Sequence, residues 1–260
     1  MRCGWQRRAR RRLGYAVRGL LCAAVLAGCM AHRAAPLRIG MTPWPGNPFL
    51  YLAVAKGFFA AEGVQVQLVE SGSLGDVLRA FELGEVDGIA GTLADVLEVR
   101  ERTRRKPRVF MALGTSAGTD VILTRRTLDL GGIEPVADAP EEDEVFDVVA
   151  LAADVLARRA TEAGAMVRAW DRTVAFAAEN RTEAEAFMAE RAGVGVQELH
   201  DALGGVTMLT SREQRALFAP DGALVAAVDA LRTSGGGGGD DGSAADCLAP
   251  ELLARAGGRR

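Results

Sequence analysis

Eight side chains of this sequence are suited by type and position to hold a small molecule: Thr42, Trp44, Asn47, Ser71, Ser73, Thr92, Ser116 and Asp120. Each falls in or beside a short polar stretch, rich in glycine or proline, that follows an apolar run. Such stretches present hydroxyls, an amide, an indole face and a carboxylate to solvent. The chemistry on offer is hydrogen bonding and stacking, so recognition is expected and no catalytic residue is. Carriers of other chemistry are few. The only lysines are Lys56 and Lys106, and the only histidines are His32 and His200, too few for a zinc site. Each candidate also has a plainer reading. Trp44, flanked by Pro43 and Pro45, is a ligand wall or a lid over the core. Ser73, Thr92 and Asn47 are ligand donors or helix caps, and a cap can also lend its neighbours' N–H groups to a ligand. Asp120 binds an ammonium group or anchors its own turn.

The elements that must position these residues form a repeated unit. Leu37–Met41 alternates as a short strand, and Thr42-Pro43-Trp44-Pro45-Gly46 stops regular structure. From Asn47, apolar residues recur at helical spacing through Phe58 and Phe59, with Gly57 and Gly63 closing the run. Val64–Val69 alternates again, and Ser71-Gly72-Ser73 leads into a helix over Leu74–Leu83. Val86–Ala90 is a third strand, followed by Gly91-Thr92 and a helix over Leu93–Arg104. Ser73 with Asp76, and Thr92 with Asp95, have capping-box spacing. In an open parallel sheet the turns after the strands gather at one carboxyl edge, where helix N-termini offer N–H groups to a ligand. Val109–Leu113 then reads as a strand, Gly114–Asp120 as a polar turn and Val121–Thr124 as another strand.

Before this unit lies an export signal. Residues 1–28 carry seven arginines and no acid, and they end in the short apolar run Gly19–Gly28, too short for a stable membrane span. Leu26-Ala27-Gly28-Cys29 resembles a bacterial lipobox, which implies cleavage before Cys29, lipid on its sulfur and a tether over 29–36. Without the seven arginines, 24 basic residues face 34 acidic ones, a net charge of −10 that argues against a nucleic-acid partner. Of the four cysteines, only Cys247 remains uncommitted, so no intramolecular disulfide is expected.

The order TPWPG, AKGFFAAEGV, ESGS, GEVDGIAGTLADVL and TSAGTDVILTRR resembles the first lobe of the periplasmic substrate-binding proteins of ABC importers, in the nitrate, sulfonate, taurine and thiamine-precursor group. The resemblance implies an α/β lobe with a mixed, mainly parallel sheet flanked by helices. It also implies that the turns after its strands supply half of a solute's contacts, and that an ABC permease and ATPase are the partners of a monomer. No cofactor is expected. After Thr127 the likeness fails. Asp129–Val136 is followed at once by the acidic run Glu141–Glu144, so residues 128–144 read as a linker or vestige and most of a second lobe as absent. Val145–Leu151 resembles the strand that returns to the first lobe, giving one lobe from 37–127 and 145–232.

The remaining chain reads as structural. A helix is expected over Thr161–Glu179, with Trp170 as a packing residue. Thr182 with Glu185 and Ser211 with Gln214 have box spacing for further helices. Residues 233–260 read as a glycine-rich linker and tail, with a short docked helix over 250–256. The expected function is a lipid-anchored solute-binding component of an importer on the periplasmic side of a bacterial membrane. Two other readings stay open: a truncated, non-transporting remnant, and an enzyme similar to the pyridoxal-dependent pyrimidine-precursor synthases that share this fold.

Overall fold

The alternating run Leu37–Met41 forms β1, and the next two strands, β2 (Val66–Glu70) and β3 (Gly88–Thr92), flank it in parallel. Leu37, Ile39 and Met41 are fully buried, because a strand with a neighbour on each side and helices on both faces has no solvent-facing side. The structure is a computed structural model that describes residues 35–43, 47–117, 144–234 and 243–256. Two further long strands, β4 (Pro107–Ala117) and β5 (Glu144–Ala152), and a short β6 (Val206–Met208), complete a six-stranded sheet of order β2-β1-β3-β5-β4-β6.

The sheet is mixed, but it is not mainly parallel as expected. β5 runs antiparallel to both β3 and β4, and β6 runs antiparallel to β4. The cause is where the chain re-enters: Glu144 pairs with Ala117, so β5 starts where β4 ends and must run back along it. Gly88 lets β3 and β5 meet. A Cβ there would lie 2.3 Å from the Ala150 carbonyl oxygen, so any larger residue would push the strands apart.

β1 to β2 and β2 to β3 step in opposite directions across the sheet, so right-handed crossovers put their helices on opposite faces. The first crossover holds α1 (Pro48–Ala55) and α2 (Phe58–Ala61), the second α3 (Leu74–Leu83). The expected single helix from Asn47 is broken because Gly57 adopts φ +69°, a left-handed turn that glycine enters freely. On the α3 face lies α4 (Leu93–Arg102). On the α1 face lie the long α6 (Ala160–Glu179) and α7 (Arg181–Ala192), with α5 (Ala153–Arg158) leading in from β5. Trp170 of α6 is fully buried against Phe49, and its indole N–H donates to the Leu209 carbonyl at 2.8 Å, which confirms its packing role.

The remaining helices are α8 (Val196–Leu203), α9 (Ser211–Leu217), α10 (Ala223–Ser234), α11 (Ala244–Cys247) and α12 (Glu251–Ala256). Two expected caps are displaced by a register step. α7 starts two residues earlier, so Thr182 lies inside it, and Glu185 instead accepts from Arg181 at 2.8 Å and meets His200 at 3.1 Å. At α9 the box is Thr210 with Glu213, not Ser211 with Gln214. Ser211 donates to Asp171 at 2.6 Å, and the fully buried Gln214 accepts from the Ala112 N–H at 3.1 Å. The docked helix expected over 250–256 is α12, but the tail contributes more than that. Ala249 N–H donates to the Val109 carbonyl at 2.7 Å, and Cys247, Leu248, Leu252 and Leu253 are buried. Residues 243–256 therefore belong to the lobe rather than to a trailing segment. Of the expected linker or vestige 128–144, Glu144 instead opens β5; the rest of it, the expected strand 121–124, the 1–28 signal and Cys29 lie outside the described residues. No described helix is long and apolar enough to cross a membrane.

Candidate functional site

β3 and β4 each run antiparallel to β5, and β1 and β2 run parallel to β3, so β1, β2, β3 and β4 all end at one edge of the sheet. The turns after them are local consequences of the sequence. Asn47, 4 % exposed, does not cap α1. Its side-chain amide turns back and donates to the Thr42 carbonyl. The Ser71 N–H donates to the Met41 carbonyl at 2.9 Å, which carries the β1–β2 ladder one step past Glu70 and fixes where the second turn departs.

The helices that follow are capped as their spacing predicts. The Ser73 hydroxyl accepts from the Asp76 N–H at 3.2 Å and donates to the Asp76 carboxylate at 2.7 Å. Thr92 and Asp95 form the full reciprocal box, with Asp95 N–H to the Thr92 hydroxyl at 3.2 Å and Thr92 N–H to the Asp95 carboxylate at 3.0 Å. Ser116 does not lie in a turn. β4 continues as strand through Ala117, where Ser116 pairs with Val145 and Val206 and is 6 % exposed. The Gly114–Ala117 stretch is held extended by partners on both sides, a tertiary effect that its polar composition conceals. Trp44 and Asp120 lie outside the described residues.

Between these turns lies a shallow open crevice with interior room of about 10 Å³, enough for about one water molecule. Thr42 lines it from the end of β1, Leu74 and Val77 from α3, Ile89, Ala90 and Gly91 from β3, and Asp95 and Val96 from α4. Ser71, Ser73 and Thr92 stand at the same edge without lining it, and Asn47 supports it through Thr42. The aliphatic walls were not singled out by sequence reasoning, because apolar residues in a helix and a strand look like ordinary core. Asp95 was visible only as a cap. The spacing that reveals a capping box also places its carboxylate beside Gly91, whose hypothetical Cβ would lie 3.0 Å from that carboxylate. The described residues contain no cluster of histidine, cysteine and acidic side chains able to hold a metal.

Residues 44–101, which span the first two crossovers and most of α4, match the family described as NMT1/THI5 like. No curated protein matches the sequence. Solved structures do match the fold. A Candida albicans gene product described as exhibiting the generic periplasmic binding protein fold aligns at a TM-score of 0.59 and 12% identity, covering 85% of this chain and 94% of its own. The ligand-binding component of an ABC-type import system from Staphylococcus aureus aligns at 0.58 and 12% identity, over 85% and 98%. The periplasmic aliphatic sulphonate binding protein of Escherichia coli aligns at 0.55 and 12% identity, over 84% and 98%. The chain thus has the periplasmic-binding-protein fold, and the resemblance read from its first strands and turns holds.

Proposed function

We propose that this chain is the solute-binding component of an ABC importer, anchored by lipid at Cys29 on the periplasmic side of a bacterial membrane. The observation that carries the reading is the convergence of the βα turns at the carboxyl edge, in a segment that matches the NMT1/THI5-like family. Ligands of open α/β sheets lie outside the carboxyl ends of the strands, and this is the edge where the crevice sits. The candidate contacts are Thr42, Trp44, Asn47, Ser71, Ser73, Thr92, Ser116 and Asp120, with the walls from α3, β3 and α4 added to them. The solute belongs to the small sulfonate, taurine, nitrate or pyrimidine-precursor type.

Only residues 118–143 separate β4 from β5, too few to build a second α/β lobe, since independent domains need 50 residues or more. A one-sided site leaves much of a solute in water and forgoes the burial that closes a two-lobed clamp. Binding is therefore weaker than micromolar. Calorimetric titration of the full chain with alkanesulfonates, taurine, nitrate and pyrimidine precursors tests this. Micromolar or tighter binding by the monomer would show that one lobe suffices and would end the half-clamp reading. The anchor is tested separately. Mass spectrometry of membrane-extracted protein should find diacylated Cys29 at the N-terminus, and a mature form starting elsewhere without lipid would refute it.

A synthase-like enzyme is less well supported. Lys56, one of two lysines, lies at the far end of α1 from the crevice, paired with Glu183 and 4.6 Å above the Phe176 ring. That position gives a pyridoxal Schiff base no route to the site.

A further inference from the structure

We draw no further inference here: the strongest candidate, the surface side-chain cluster at the carboxyl end of β2 in which Arg191 stacks 3.8 Å over the Tyr51 ring and both donate to Glu70, is satisfied within itself, and nothing in the structure shows what would cover it.

Discussion

Glu62, the C-cap of α2, ties that short helix to α6 by accepting from Arg168 at 2.8 Å and Arg172 at 3.1 Å. The Arg168 hydrogen bond holds its pKa below the ordinary glutamate value; burial opposes the shift, and Arg172 adds to it. A carboxyl whose folded pKa is depressed contributes stability that is complete above its unfolded pKa, about 4.3, and is lost as pH falls through the lower folded value. Glu62→Gln should therefore cost on the order of 1 kcal/mol at pH 7, since each partly exposed bridge contributes about 0.2–1 kcal/mol. The difference from wild type should shrink toward pH 3. Urea unfolding at both pH values checks this, and an equal cost at both would mean that packing, not charge, is what the substitution removes. This pairing was not legible in the sequence, because its partners lie more than 100 positions apart. Local pairings were. Thr92 with Asp95 could be read from spacing alone, because the capping geometry is complete within four residues. Spacing failed for Ser211 with Gln214, where two adjacent hydroxyl residues offered two registers and the burial of Gln214 against β4 decided between them.

At the scale of elements, the tail shows what periodicity misses. The β–α units of the first crossovers alternate or recur over enough residues to declare themselves, and their strands and helices emerge within a residue or two of expectation. α11 has four residues and follows a glycine run, so no pattern marks it, yet its neighbours complete the core beside β4. Cys247, Leu248, Ala249, Leu252 and Leu253 are each 2 % exposed or less. Burying a large aliphatic side chain contributes about 1.5–3 kcal/mol, so removing residues 243–260 should cost several kcal/mol and uncover the Val109 edge of β4. The truncated chain should show a lower urea midpoint and bind a hydrophobic dye. A midpoint equal to that of the full chain would show that the tail merely lies on the surface. β4 shows the converse failure: Gly114–Ala117 reads as a turn but is strand, because β5 and β6 supply partners that only the fold reveals.

At the largest scale, the described residues have the periplasmic-binding-protein fold, with a shallow crevice at the edge where four strands end. That edge was legible in the sequence because three strand–turn–helix units must converge there whatever their partners. The walls were not, because Leu74, Val77, Ile89 and Val96 are indistinguishable by type from the core residues around them. The account depends on solute sitting at this crevice rather than another surface. Leu74→Trp addresses that claim most directly. Leu74 is half-buried at the first position of α3, so a larger ring can be accommodated there while it covers the crevice. Whichever solute of the panel binds the wild-type chain should be titrated calorimetrically into Leu74→Trp, with thermal unfolding measured alongside. The account predicts unfolding close to that of wild type and at least tenfold weaker binding. Unchanged affinity in a folded Leu74→Trp would place the solute elsewhere and contradict it.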